Sequence, residues 1–207
     1  MTGRARALRA DAWMLLASVI WGAAFVAQGK AAAHLDALSI IALRFIAGGS
    51  LLVPIVLVRW RRVRSDWPWR TVLTGGVSAG LVMLLASLLQ QRGIEAGATA
   101  SAAGFITGLY VLFVPMLGLL VGVRTHVSVW AGAVVAAAGL YLLSVGPDLS
   151  MTRGDLLVLL CALAWAVHVL LIGRFSPRCD AIELAAVQFL VTGVTAARLL
   201  PALSQGP

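Results

Sequence analysis

Long apolar runs separated by short polar connections fill almost the whole chain. Each run approaches the roughly 20 apolar residues that an α-helix needs to cross the hydrocarbon core of a bilayer. The pattern predicts an all-α integral membrane protein with seven spans, the last one short: 12–29, 37–58, 71–91, 98–122, 127–145, 156–173 and 181–197. The connections between these spans are too short to hold a soluble domain.

A sequence repeat divides the chain. Residues 11–49 recur without a gap at 155–193, an offset of 144 because Asp11 returns as Asp155. Five predicted spans separate the starts of the two copies, and an odd number of crossings inverts the second copy in the membrane. Inverted repeats are typical of secondary transporters, in which two bundles rock about a site between them. Other matched pairs are Trp21/Trp165, Gly29/Gly173, Asp36/Asp180, Phe45/Phe189 and Gly49/Gly193.

Composition and charge support a membrane location. The chain is 61% apolar and 12% charged, whereas a soluble domain is about 45 to 50% apolar and about 25% charged. A net charge of +8 could indicate nucleic acid, but the basic residues cluster at span ends. With a cytoplasmic N-terminus, eleven arginines lie inside and four basic residues, Lys30, Arg92, Arg153 and Arg198, lie outside. The positive-inside rule therefore explains the charge, and no nucleic-acid partner is expected.

Other functional classes lack their usual residues. The first apolar run resembles a signal peptide, but its repeat counterpart lies deep in the chain, so we expect a permanent span. Cys161 and Cys179 have no metal or redox spacing, and we expect no metal or cofactor. The eight acidic residues lie in loops or near span ends, which argues against a membrane-embedded enzyme. A receptor is also less favoured, because the seven spans arise from an interrupted repeat.

Two tryptophans lie at an unusual depth. Trp21 and Trp165 each follow the opening aspartate of their repeat by ten residues, or about 15 Å of helix. Tryptophan in membrane proteins is enriched at the interfaces instead. The pair is expected either to line a cavity and stack on a planar or cationic substrate, or to pack in the protein interior.

Two ionisable residues lie inside predicted spans. His168 shares a helix face with Cys161 and Trp165, and it could either gate proton-linked transport or bond as a neutral imidazole to a neighbouring helix. Arg44 lies about 10 Å inside the second span, and its repeat counterpart is the neutral Gln188. Its charge is expected to face the bundle, either to attract an anionic substrate or to contact a helix end.

Uncharged polar residues and small residues complete the candidates. Gln90, Thr107 and Tyr110, with Ser87 and Gln91 nearby, are candidate substrate contacts, although hydrogen bonds between helices use the same residue types. A narrow stripe on the fourth span favours close helix packing over substrate contact and is compatible with a hinge. Its members are Gly104, Gly108, Pro115 and Gly122.

Several motifs together carry a family resemblance. They are WGAAFV from Trp21, ALRF at 42–45, GFITGLYVLFVP at 104–115, GAVVAAAGLYLLS in the fifth span and ALAWAVHVLLIGRFSPRCD in the second copy. The chain resembles EamA-type proteins of the drug/metabolite transporter superfamily. The resemblance implies two inverted five-helix repeats in the inner membrane, with a cavity between them for exporting small metabolites or drugs. Many members carry a glutamate where this chain has Val123, so no role is transferred for that acid.

The expected organisation is a cytoplasmic tail (1–10), a first EamA repeat (11–145) and an incomplete second repeat (155–207). Resemblance to the first copy ends near Gly193, and Arg198 and Pro201 then stand where the first copy is apolar. A truncated or frame-disrupted reading frame is the preferred interpretation over a seven-span product. The alternative function is accordingly an inactive fragment, or one that needs a homo-oligomer or a separately encoded remainder.

Overall fold

The computed structural model of the protein describes residues 3–62, 68–123, 125–144 and 152–204, and within them it is helical with no strand. A short 3-10 turn at Ser176–Arg178 separates the last two helices. The α-helices are α1 (Gly3–Ala31), α2 (Ala37–Arg62), α3 (Trp69–Glu95), α4 (Ala100–Gly108), α5 (Tyr110–Leu120), α6 (Val127–Ser144), α7 (Arg153–Phe175) and α8 (Ala181–Ser204).

Within the described residues, six helical segments are long and apolar enough to cross a bilayer, which confirms the prediction of an integral membrane protein. In one of them α4 and α5 together form the span Ala100–Leu120, and α6 adds a shorter apolar helix over Val127–Gly139. The last span is longer than expected, because α8 continues through Arg198 and Pro201. Both residues fall in its last turns. A charged side chain there can reach the interface, and a proline there disrupts only the short stretch of helix that remains.

Glycines let α3 pack closely against α7 and α8. A methyl group built at Gly80 would lie 2.8 Å from the carbonyl oxygen of Gln188, and one at Gly93 would lie 2.6 Å from Val158 Cγ2. Gly75 and Gly76 similarly face Phe175 and Val187. Small residues at a helix interface allow backbones to approach in a membrane, where burial of apolar area does not itself drive association.

The contact between α2 and α8 is reciprocal. A methyl group at Gly49 would lie 2.8 Å from Leu190 Cδ2, and one at Gly193 would lie 2.8 Å from Ile46 Cγ1. Gly49 and Gly193 are repeat counterparts, as are Ile46 and Leu190. The repeat pair Phe45 and Phe189 also meets here, with ring centroids 5.5 Å apart. The two helices are therefore antiparallel and related by a local two-fold axis.

Repeated aspartates start the second helix of each copy. Asp36 accepts hydrogen bonds from the backbone N–H groups of Leu38 at 2.9 Å and Ser39 at 3.1 Å, and from the Ser39 hydroxyl at 2.6 Å. Asp180 accepts from the N–H of Ile182 at 2.8 Å and forms an ion pair with Arg59 at the end of α2. These carboxylates satisfy N–H groups that a helix start leaves unpaired.

Replacing Asp36 with alanine is expected to lower the unfolding free energy by about 1 kcal/mol at neutral pH. The hydrogen bond from the Ser39 side chain is the main cause that lowers the pKa of this carboxyl, and slight burial opposes it. A lowered pKa means that the folded state favours the ionised form. Its stabilising effect is therefore complete above the unfolded-state pKa, and is lost as the pH falls through the lowered folded-state pKa.

Unfolding in detergent at several pH values measures this effect. The stability gap between the natural chain and Asp36→Ala should close in acid, while Asp36→Asn, which keeps an acceptor oxygen, should lose little at neutral pH. A gap that is constant down to the most acidic pH would contradict a role for the ionised cap.

Candidate functional site

Four side chains from three helices form what we call the aromatic cluster: Trp21, Tyr110, Trp165 and His168. The ring centroids of Trp21 and Tyr110 are 6.0 Å apart, and those of Trp21 and Trp165 are 6.3 Å apart at 72°. The Trp165 and His168 rings meet edge to face at 5.2 Å. Trp21 is 39% exposed, whereas His168 is buried, so the cluster extends from an open side into the protein.

The rings of the aromatic cluster come from equivalent helices of the repeat and from the fourth span. Trp21 on α1 and Trp165 on α7 are repeat counterparts, and their contact joins the first helices of the two copies. Tyr110 is the first residue of α5, directly after a turn at Leu109 that ends α4. The phenol of Tyr110 lies beside the indole of Trp21.

A polar row on α3 lies among buried residues and consists of Ser87, Gln90 and Gln91. Their i, i+3 and i+4 spacing places them on one helix face. Gln90 Nε2 donates to Thr107 Oγ1 on α4 at 3.1 Å, and Gln91 Nε2 donates to the carbonyl oxygen of Gln28 on α1 at 3.5 Å. The row therefore connects α3 to α1, which carries Trp21, and to α4, which ends shortly before Tyr110.

Several buried polar atoms in this region have no hydrogen-bond partner among the described residues. They are Trp165 Nε1, Ser87 Oγ and Gln91 Oε1. Buried polar groups are normally paired, because an unpaired group loses its hydration without compensation. Together they offer one indole N–H donor, one hydroxyl and one carbonyl acceptor, a combination that suits a small ligand with both flat and polar parts.

His168 bonds to the next helix of its own copy rather than pointing into open space. Its Nε2 lies 2.8 Å from Gln188 Oε1 on α8. Because an amide oxygen can only accept, this pairing corresponds to Nε2–H donating to Gln188. Residue 24, the counterpart of His168, is Ala24, and the counterpart of Gln188 is Arg44, so the first copy lacks this pair.

Arg44 lies on α2, a helix that carries none of the residues of the aromatic cluster. Its Cζ lies 4.5 Å from the ring centroid of Phe45, within range of a cation–π interaction. The buried Nε has no hydrogen-bond partner in the described part of the chain. The half-buried guanidinium therefore retains capacity to bind an anion or an acceptor from another molecule.

The small-residue stripe of the fourth span is divided by helix ends. Gly104 lies in α4, Gly108 is its last residue and Pro115 lies within α5. Gly122 lies beyond α5 with φ +78°, and the N–H of Val123 donates to Gly118 at 2.8 Å. Gly122 thus terminates the helix as a left-handed cap.

Two features of this region do not follow from the hydrophobic pattern of the sequence. The pairing of His168 with Gln188 depends on how α7 packs beside α8. The close contacts of α3 depend on its glycines, and the spacing of Gly75, Gly76 and Gly80 is the sequence signal that indicates them.

Within the described ranges, no group of three or more histidine, cysteine or acidic residues could hold a metal ion.

Comparison with known proteins gives consistent matches. A model of the EamA-like transporter family matches residues 8–145. An "Uncharacterized transporter" of Archaeoglobus fulgidus is 27% identical over 173 residues, which cover 82% of this chain and 50% of that protein. The "Uncharacterized inner membrane transporter YedA" of Escherichia coli strain K12 is 24% identical over 149 residues, which cover 72% of this chain and 48% of that protein.

The chain spans about half the length of these curated relatives. No solved structure gives a significant match.

Proposed function

This chain belongs to the EamA-like transporter family, and from that premise we propose that it moves small organic molecules across the inner membrane by alternating access. The family resemblance found in the sequence is confirmed. The chain is a multi-pass membrane protein whose apolar helices contact lipid. Two inverted repeats, 11–145 and an incomplete 155–207, would supply the two bundles, and export is the proposed direction.

The contact between Trp21 and Trp165 carries this proposal. It joins the equivalent helices of the two repeats at about the middle of their spans, where relative motion of the bundles would open or close the cluster. Trp165 Nε1 of this contact, and Ser87 Oγ and Gln91 Oε1 on α3, lack partners among the described residues, and a substrate could satisfy them. The site combines stacking surfaces with neutral hydrogen-bonding groups.

The proposed substrates are small metabolites or drugs with a planar or cationic part. Aromatic faces attract cations and flat rings without requiring a carboxylate. His168 is the proposed protonatable group, because it contacts Trp165 and bonds to Gln188 on the neighbouring helix α8. A change of its charge would alter both contacts at once.

Uptake by the purified chain in vesicles tests the proposed function. Labelled amines, amino acids and dyes should enter in a saturable way, above the level of protein-free vesicles, and unlabelled substrate should compete. Uptake that never saturates, or that equals the protein-free level for every class, would contradict it.

In a second candidate function, this chain transports substrate only together with a partner polypeptide. The favouring observation is the first span, of which only 6% is buried although it carries Trp21. Uptake that requires a second polypeptide in the vesicles would distinguish this candidate from an autonomous transporter.

The N-terminus is proposed to be cytoplasmic. In a variant without Cys161 and Cys179, a cysteine at Ala33, in the exposed turn after α1, should react with an impermeant thiol reagent in intact cells. A cysteine at Val123, which is 51% exposed after α5, should react only after the cells are opened. The reverse pattern would invert the proposed topology. The basic loop around Ser65 lies outside the described residues.

Replacing Arg44 with glutamine is expected to weaken transport of anionic substrates more than that of cationic ones. The variant places in the first copy the residue that the second copy has at Gln188, so the change is compatible with the repeat. Loss of one half-buried charge–anion contact corresponds to about 1.5 to 3 kcal/mol, or at least tenfold in affinity. Equal effects on both substrate classes in the vesicle assay would remove this role from Arg44.

A further inference from the structure

One ring nitrogen of the aromatic cluster is available to a ligand. The other nitrogen of the same ring, His168 Nε2, is 2.8 Å from Gln188 Oε1 and donates its N–H to that oxygen. With the proton on Nε2, the neutral ring keeps a lone pair on Nδ1 and can only accept a hydrogen bond there. Among the described residues, His168 makes no further hydrogen bond. Gln188 therefore fixes the tautomer and leaves Nδ1 as a free acceptor.

Two unpaired oxygen atoms lie on α3 at a similar depth. This helix runs antiparallel to α7, because the glycines at its two ends, Gly75 and Gly93, contact opposite ends of α7. With this packing, Ser87 lies within about one helical turn of Trp165 in depth. Ser87 and Gln91 are both buried, and their Oγ and Oε1 atoms have no hydrogen-bond partner in the described part of the chain.

Acceptors outnumber donors in this set of unpaired groups. His168 Nδ1 and Gln91 Oε1 only accept, and the Ser87 hydroxyl either accepts or donates. Trp165 Nε1 is the one group of the set that only donates. The set carries no charge, and the ring faces of the aromatic cluster attract cations. A ligand that matches both features is positively charged and presents hydrogen-bond donors, whereas a carboxylate would meet lone pairs.

We propose that the aromatic cluster selects protonated organic amines that keep at least one N–H, and that His168 Nδ1 accepts this N–H. The proposal rests on the proposed function, in which the cluster is the substrate site, and it defines the substrate class. A hydrogen bond from a charged donor is stronger than one from a neutral donor. A site built to accept an N–H also rejects an analogue that lacks it, because the buried acceptor is then left unpaired. Quaternary ammonium ions, which carry the charge without an N–H, are therefore disfavoured.

The asymmetry of the two copies gives the bound amine a direction. The repeat counterpart of His168 is Ala24, which has no polar side-chain atom, so the first copy offers no matching acceptor. His168 is buried, whereas Trp21 is 39% exposed. The ammonium group of the ligand accordingly lies at the buried end of the cluster, and its flat part lies against the ring of Trp21.

Equilibrium binding to the purified full chain tests the proposal without transport. The probes are N,N-dimethylbenzylammonium and benzyltrimethylammonium, which share the ring and the charge and differ by a methyl group in place of the N–H. Calorimetric titration at neutral pH should show at least about tenfold tighter binding of the first probe, as expected for one hydrogen bond to a charged group. Equal affinities would overturn the proposal and leave the proposed function intact, whereas binding of neither probe would contradict both.

Two variants separate the hydrogen bond from the fit of the probes. His168→Phe keeps a ring against Trp165 and should lose the preference, whereas His168→Asn keeps an acceptor oxygen near the position of Nδ1 and should retain part of it. His34→Phe, in the exposed turn after α1, is the matched control and should leave the preference unchanged. A preference that persists in His168→Phe would assign the discrimination to probe size and overturn the proposal. Equal loss in the phenylalanine and asparagine variants would overturn it as well, because the acceptor alone would then have no effect.

Discussion

Replacing Gly80 with leucine is expected to prevent α3 from packing between α7 and α8. Even a methyl group at this position would lie 2.8 Å from the carbonyl oxygen of Gln188 and 3.0 Å from Val191 Cβ. A backbone atom cannot move aside as a side chain can, and the carbonyl of Gly80 also accepts a hydrogen bond from Thr192 Oγ1 at 2.8 Å. Overpacking of this kind costs about 1 to 3 kcal/mol, and more where backbone must shift.

Thermal unfolding in detergent, followed by helical signal and by size-exclusion profile, measures the loss. Gly132→Leu in α6 is the matched control, since a methyl group there would meet nothing within 4 Å. It makes the same change in volume and in helix propensity without a close neighbour. Equal melting of the two variants would show that α3 does not pack as described.

Replacing Trp165 with alanine is expected to lower the affinity for transported substrate by about tenfold or more. Trp165 is the ring that connects Trp21 to His168, and its Nε1 is buried without a hydrogen-bond partner among the described residues. Loss of the aromatic contacts and of the indole N–H corresponds to about 1.5 to 3 kcal/mol, or about tenfold and more in affinity. Vesicle uptake over a range of substrate concentrations gives the change in half-saturation.

Packing must be separated from binding, because Trp165 also contacts a hydrophobic group that includes Leu38, Ile41 and Phe45. Trp165→Phe keeps a ring for packing and removes the N–H, so it should restore membrane abundance more fully than affinity. Trp13→Ala, at a position 64% exposed on α1, is the matched control and should leave uptake unchanged. Parallel loss of abundance and uptake in Trp165→Ala, with full rescue by phenylalanine, would assign Trp165 to packing alone.

The sequence repeat predicts the contacts that join equivalent residues of its two copies. Trp21 and Trp165 were paired by sequence offset and are in contact, and Phe45 meets Phe189 in the same way. The spans follow from their length and apolar composition. The spans can be predicted from the sequence, because a segment of about 20 apolar residues in a bilayer has few alternatives to a helix.

Partners across the bundle could not be predicted in the same way. A membrane helix is apolar on its lipid side and on its protein side, so hydrophobic pattern does not reveal which face packs. The contacts of Gly80 with α8 and of His168 with Gln188 depend on helix orientation. The turn at Leu109 interrupts a span whose apolar sequence is continuous, and α8 continues through Arg198, which an apolar pattern alone does not include in a span.

The reciprocal contact of α2 with α8 couples insertion to assembly. Gly49 meets Leu190, and Gly193 meets Ile46, so the two copies of the repeat contact each other through the same surface. These two surfaces can pack together only when one copy is inverted in the membrane relative to the other. Charges that orient the loops therefore also decide whether these two surfaces can meet. Moving enough arginines to insert both copies in the same direction would abolish this interface without altering any residue in it.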